Sequence, residues 1–276
     1  MNKRTKSILR KTGVYLCCLI MAIAVLTPLY MVILNSLKSG SEAAVIDLTP
    51  PERPMWENYV HVFREGRMGR AFLNSCFITI VVVFFTVVIS SLTAFVIARR
   101  RSRISNILYN YFLIGLVAPM ALIPEVVIMN LLHLNGTYLA VILIHLATRM
   151  PLSIMLYVGF IKGIPRSLDE AAMLDGTPPL RMFFSIIFPL LKPVVFTNII
   201  LTFMAVWNDF QVALYFIGDS AKQTIPLSIY NFVGFMTYQW NYVCAFIILS
   251  ILPILVVYLC AQKYIVEGMI AGAVKS

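Results

Sequence analysis

An all-α membrane protein with six transmembrane helices is the fold class this sequence predicts, and two observations predict it. Of 276 residues, 60% are hydrophobic and 12% charged, with a mean hydropathy of +0.87; soluble domains carry about twice that charged fraction. The apolar residues also gather in runs long enough to cross a bilayer, which takes roughly 20 residues per helix. Lipid offers no partners to backbone N–H and C=O groups, so such runs close their hydrogen bonds internally, as helices.

The expected spans are Val14–Leu34, Ala71–Ala98, Ile107–Leu131, Thr137–Phe160, Pro189–Trp207 and Tyr242–Tyr264. The first follows Lys3, Arg4, Lys6, Arg10 and Lys11, and Ala22-Ile23-Ala24 resembles a cleavage site. Its apolar run exceeds a signal h-region and five more spans follow, so it reads as a retained helix. Cys17, Cys18, Cys76, Cys244 and Cys260 all fall inside apolar runs. That placement makes them small packing residues rather than disulfides or metal ligands.

The formal net charge of +10 admits nucleic acid as a partner only until its placement is read. Alternate connections hold Lys3 to Lys11, then Arg99, Arg100, Arg101, Arg103, Arg149, Lys162, Arg166, Arg181, Lys192, Lys263 and Lys275. The other side holds Lys38, Arg53, Arg64, Arg67, Arg70 and Lys222, offset by acids. Basic residues are retained on the cytoplasmic side, so both termini are expected in the cytoplasm of a multi-pass cell-membrane protein. The partner implied by the charge is the lipid bilayer, not nucleic acid. The expected division is a cytoplasmic N-terminus at 1–13, a membrane domain at 14–266 and a cytoplasmic tail at 267–276. Lys38–Arg70 and Gly218–Trp240 become external loops, with Trp56, Tyr59, Trp207, Trp240 and Tyr242 near the outer interface.

One cytoplasmic connection, at residues 162–188, is unusually long. Ser167 and Glu170 have capping-box spacing, so a helix is expected from Leu168. Gly176 suits the left-handed residue that ends a helix, and Thr177-Pro178 suits the start of another. The Glu170-Ala171-Ala172 side is small enough for close approach by another protein. Spacing alone fits an ordinary helix–turn–helix linker equally well.

The residue pattern goes further. Glu170-Ala171-Ala172, Gly176, Ile186, Phe188 and Pro189 resemble the EAA…G…I-x-L-P loop of ATP-binding-cassette (ABC) importer permeases, with Phe188 in place of the usual Leu. Trp207-Asn208-Asp209-Phe210 is similar to the WNEF stretch of carbohydrate-uptake members. The ending from Gly268 through Gly272 to Lys275 is similar to their GLTAGAVKG tail, as in the smaller maltose permease subunit. Glu267 stands where a basic residue is common, and Ser276 replaces the final Gly.

The resemblance implies a type I ABC importer permease fold whose loop is a coupling helix. Glu170, Ala171, Ala172, Asp175, Gly176, Ile186 and Pro189 would then transmit ATPase closure, and Gly268, Gly272 and Lys275 would reach the ATPase. It also implies a second permease subunit as heterodimer partner, two cytoplasmic ABC ATPase subunits and an extracytoplasmic solute-binding protein. The expected function is sugar or oligosaccharide import. A non-sugar solute remains open, since amino-acid and peptide permeases share the loop.

The chain carries no GxxxxGK[ST], HExxH, clustered His/Cys or serine-nucleophile motif. No catalytic residue, metal or cofactor is therefore expected, and energy must come from a partner. An ion-driven transporter would be expected to show paired intramembrane charges or an inverted repeat, and a membrane enzyme a polar cluster at an interface. Neither pattern is visible.

For the substrate path, span two offers Ser75, Thr79, Thr86, Ser90 and Thr93 at helical spacing. Span five offers Thr197, Asn198, Thr202, Asn208 and Asp209 roughly on one face, with Phe203, Trp207 and Tyr215 as candidate sugar-stacking rings. Interhelical packing explains the same hydroxyls and amides. Glu125, with Pro119 and Pro124 nearby, marks a broken helix end.

Overall fold

A computed structural model describes the backbone at residues 3–100, 102–118, 120–233 and 239–273, and side chains within 11–259 of that range. Its regular elements among the described residues are helices. The long ones are α1 (Lys3–Ser36), α3 (Met68–Arg99), α6 (Tyr138–Lys162) and α13 (Trp240–Ala273). Between them lie α2 (Glu57–Glu65), α4 (Arg103–Val117), α5 (Leu122–Leu131), α7 (Ser167–Leu174), α8 (Pro179–Met182), α9 (Phe188–Leu190), α10 (Lys192–Trp207), α11 (Gln211–Phe216) and α12 (Ile225–Ser228).

Among the described residues, four helices are long and apolar enough to cross a membrane unbroken, or up to six if each of two bent pairs counts as one span. The third and fifth expected spans are these pairs. α4 and α5 meet at 118°. Pro124 in the first turn of α5 has no N–H to continue a helix from α4, and its ring would crowd the preceding turn. Pro119 lies outside the described residues. The segment from Pro179 to Leu190 meets α10 at 81°, and Pro193, second residue of α10, is the matching cause there. Pro189, where the fifth span was expected to begin, sits in the short turn of α9, at the end of the first arm of that pair and just ahead of the break.

The chain divides into two compact bodies. One contains residues 1–68 and 228–252. Within it, no residue in the most apolar stretch of α1 is buried among the described residues, while its C-terminal end is tied down by polar groups. Asn58 Nδ2 donates to the carbonyls of Ser36 (2.8 Å) and Lys38 (2.9 Å), and Asn241 Nδ2 donates to Asn58 Oδ1 at 3.3 Å. Lys38, 2% exposed, forms an ion pair with Asp47, and His61 stacks on Tyr242 with ring centroids 4.3 Å apart. The segment expected as an external loop is thus a folded structure carrying α2. Hydrogen bonds from Lys38, then Thr49, pull the Asp47 carboxyl down to about 2. Ser39, through its hydroxyl and its N–H, lowers Glu42 in the same way.

The other body contains residues 69–227 and 253–276. α4 packs along α6, where a Cβ added at Gly115 would come within 3.1 Å of Pro151 Cγ. Glycine there lets the two backbones approach. At one end, Ala94, Phe95, Ile97 and Ala98 of α3, Ile154, Tyr157, Val158 and Ile161 of α6, Ala172, Met182, Ile187, Leu191 and Val194 form one apolar core. At the opposite end, Ile78, Val82, Val141, Ile144, Val206, Val212 and Phe216 form another.

Candidate functional site

The 162–188 connection is built on the first of these cores. α7 begins at Ser167, one residue earlier than the capping-box spacing predicts, and its cap position is Arg166 with no side-chain cap bond. Its end follows expectation. Gly176 has φ +70°, its N–H bonds to Met173 O at 3.0 Å, and Thr177 N–H reaches back to Ala172 O at 3.0 Å. This is the paired closure that a left-handed terminal residue permits. Thr177 does not cap the next helix; Pro178 is extended and Pro179 opens α8. A five-residue π-helical turn, Phe183–Ile187, follows, a rare widening that commonly marks functional segments.

The two faces of α7 differ. Ala172 is 3% exposed and belongs to the core, so it does not offer the approachable side expected of it. Glu170, Ala171, Asp175 and Gly176 are exposed, as are the apolar side chains of Leu168, Met173, Leu174 and Leu180. Leu174 is 89% exposed. Ile186 is half-buried against the core, and Pro189 is exposed.

What holds this element in place escaped the sequence reading. Arg99, last residue of α3, sets its Nε 2.6 Å from Asp169 Oδ2 and its Nη2 3.3 Å from Oδ1. It also donates through Nη1 to Ile164 O at 3.1 Å. Both side chains are nearly buried, at 13% and 9% exposure. One contact is a hydrogen bond and the other a close approach of opposite charges, so the nearly buried pair ties α7 to the end of α3. The partners lie 70 residues apart, and no local spacing signals them.

In the bundle, Asn198 on α10 accepts from Ser153 Oγ at 2.7 Å and donates to Tyr157 OH at 3.2 Å, both on α6. Thr202 Oγ1 lies 3.5 Å from Asn198 Oδ1. All four side chains are buried, so this cluster joins two helices. Thr86 and Ser90 on α3 are wholly buried, and their hydroxyls find no partner among the described residues. Asn208 is exposed and bonds Met204 O at 2.8 Å. Asp209 Oδ2 accepts from Val212 and Ala213 N–H, capping α11, and lies 3.8 Å from His145 Nε2. His145 and Asp209 line a cavity of about 10 Å³ with Ser75, Thr79 and Thr224, room for roughly one water.

Two further expectations change. Trp207 is 3% exposed, stacked on Phe203 at 5.3 Å and edged by Phe72, so it presents no face to a sugar in this conformation. Arg149, counted above with the basic residues of the cytoplasmic connections, sits halfway along α6 and is half-buried. An ionisable group at that depth is a functional candidate by its position. Tyr215 borders an apolar groove of about 620 Å³ lined by Met120–Pro124, Val126 and Val127, and Glu125 occupies the first turn of α5. Gly268 and Gly272 lie in backbone-described helix with undescribed side-chain surroundings, and Lys275 and Cys260 lie outside the described residues and side chains.

Residues 86–270 match the family model of the binding-protein-dependent transport system inner membrane component. The melibiose/raffinose/stachyose import permease protein MelC of Bacillus subtilis is 31% identical over 275 residues, covering 99% of this chain and 98% of that one. The multiple sugar-binding transport system permease protein MsmG of Streptococcus mutans is 34% identical over 267 residues, 95% and 96% of the two chains. A solved bacterial ABC transporter involved in import of the acidic polysaccharide alginate shares the fold, with a TM-score of 0.84 at 20% identity over 96% of this chain and 99% of that one. The matched residues take in the loop, the Arg99–Asp169 pair and the Asn198 cluster, and the chain belongs to the family of binding-protein-dependent transport system inner membrane components, multi-pass permease subunits of ABC importers and not enzymes.

Proposed function

We propose that this permease carries a sugar or oligosaccharide into the cytoplasm, driven by ATP hydrolysis on two separate ATPase subunits. The observation that carries the mechanism is the exposed knob of α7, with Glu170, Ala171 and Leu174 facing outward from a base locked to α3. A partner that grips this knob has a rigid lever, since the Arg99–Asp169 contact and the shared core pass its motion to α3, α6 and α10. The sugar reading rests on relatives that import melibiose, raffinose and stachyose or belong to a multiple-sugar system.

In this reading both termini are cytoplasmic, as the basic connections favour, and a solute-binding protein delivers substrate on the opposite side. A second, distinct permease subunit completes the pathway, and lipid or that subunit covers the bare apolar length of α1. Thr86, Ser90, Asn208 and Asp209 line this chain's share of the path, the hydroxyls of α3 becoming accessible when the helices separate. Asn198 and Thr202 hold α10 to α6 through that movement.

The test is coupling. Glu170→Ala and Gly176→Val should leave the complex inserted and assembled while uptake falls at least tenfold relative to ATP hydrolysis. Gly176→Val forces a β-branched residue into left-handed backbone, at a cost of about 1–2 kcal/mol. Normal uptake per ATP hydrolysed in both variants would refute the role of the loop.

A further inference from the structure

The end of the second body opposite the loop is crossed by a strap, residues 221–225, tied to α3 and to the turn that opens α6. Asn74 Nδ2 donates to the carbonyls of Ala221 (3.1 Å) and Gln223 (2.9 Å), and Tyr138 OH donates to Asn74 Oδ1 at 2.9 Å. Lys222 Nζ reaches Gly136 O at 2.9 Å, and Ile225 N–H donates to Ser75 Oγ at 2.9 Å. Thr224 lies among these fastenings. It is 7% exposed, yet its hydroxyl has no partner among the described residues.

Thr224 lines the cavity of about 10 Å³ together with Ser75 and Thr79 of α3, His145 of α6 and Asp209 of the α10–α11 corner. Apolar side chains of Ile78, Val141 and Val206 supply much of the remaining wall. His145 is buried and its Nδ1 is also without a partner among the described residues. Its Nε2 stands 3.8 Å from Asp209 Oδ2, beyond hydrogen-bond reach. Buried polar groups of this kind need partners. A space one water wide, ringed by several polar side chains, matches the two to four partners that a buried water takes. The ring mixes donors with acceptors, a set that a water satisfies and a bare cation does not.

We propose that this cavity holds one ordered water, which donates to Asp209 and bonds the hydroxyls of Thr224 and Thr79. Through that water the strap is seated on α3, α6 and the α10–α11 corner, and the cluster latches this end of the bundle. The latch rests on the transport reading, in which these helices separate to pass the solute. The water site does not depend on that reading.

The test uses the complete complex with its ATPase subunits. An experimental map of it, at a resolution that shows other buried waters, should hold one water peak within hydrogen-bond distance of Asp209 and Thr224. A dry cavity would overturn the proposal. Thr224→Val keeps the side chain's shape and removes its hydroxyl, whereas Thr224→Ser keeps the hydroxyl and removes a methyl. Loss of one net hydrogen bond shifts an equilibrium about fivefold. Thr224→Val should therefore raise ATP hydrolysis, measured without the solute-binding protein, by about that factor, and Thr224→Ser should stay at the native rate. A native rate in the Val variant would overturn the latch, and an equal rise in both variants would assign the effect to packing and overturn it as well. Should Thr224→Val fail to accumulate, Thr79→Val against Thr79→Ser carries the same comparison. A native complex that hydrolyses no ATP would sink the transport reading, and the water peak would still decide the site.

Discussion

Single residues in this permease carry structural weight out of proportion to their number. Asn198 is buried and bonded to Ser153 and Tyr157 across two helices. Interhelical hydrogen bonds in membranes contribute about 0.6 kcal/mol on average and at most about 1.7 kcal/mol. Replacing Asn198 by Ala removes two of them, so the purified permease should lose about 1–3 kcal/mol, read as a lower midpoint in thermal unfolding. An unchanged midpoint would mean that the cluster closes over the missing amide. Asp47 offers a contrasting case at the surface. Its carboxyl is held down to about 2 by Lys38 and Thr49, against an ordinary value of about 3.9. The depressed value means that the contact's contribution is fully present above the ordinary carboxylate range and is lost as pH falls toward 2. Proteolytic protection of the 38–58 segment should therefore be flat between about pH 5 and 8. A transition within that window would show that another group governs the segment.

At the scale of elements, the decisive feature is a pair of charges. Asp169 on α7 and Arg99 on α3 are nearly buried and meet at two points. Hydrogen bonds to charged groups contribute about 1.5–3 kcal/mol, so Asp169→Asn should loosen α7 by about that amount and lower coupled uptake. Exchanging the charges, Arg99→Asp with Asp169→Arg, should recover part of the loss if attraction between the two helices is what matters. A swap no better than the single variant would assign the effect to the Arg99–Ile164 carbonyl bond. The bends belong to this scale too. Pro124 was readable as a helix interruption and Pro193 was not, and neither angle, 118° or 81°, follows from the sequence, because proline forbids continuation without saying which way the chain turns.

For the molecule as a whole, the uncovered apolar length of α1 and the exposed knob of α7 leave surfaces that a lone chain cannot satisfy. Gentle purification of the tagged chain should recover an ATPase and a second permease in fixed ratio, with a solute-binding protein when substrate is present. The ligand of that binding protein would then identify the sugar. Recovery of this chain alone as a homo-oligomer, under conditions that keep comparable complexes intact, would overturn the proposed assembly.

Hydropathy by itself determined the helical class and up to six crossings, because lipid leaves an apolar run of about 20 residues no other way to close its backbone. Local spacing determined where the loop turns, since the left-handed residue at Gly176 is a one-position requirement. The tertiary structure decided which side of each helix faces inward. Ala172 turned into the core while Ala171 stayed out, and Trp207 went under Phe72 and Phe203. It also decided that Asp169 meets Arg99. Such pairings depend on partners far along the chain: Ser153 lies 45 residues from Asn198, and Arg99 lies 70 from Asp169. A hydroxyl or a charge in the sequence declares what it can bond to, and only the packed helices determine what lies within reach.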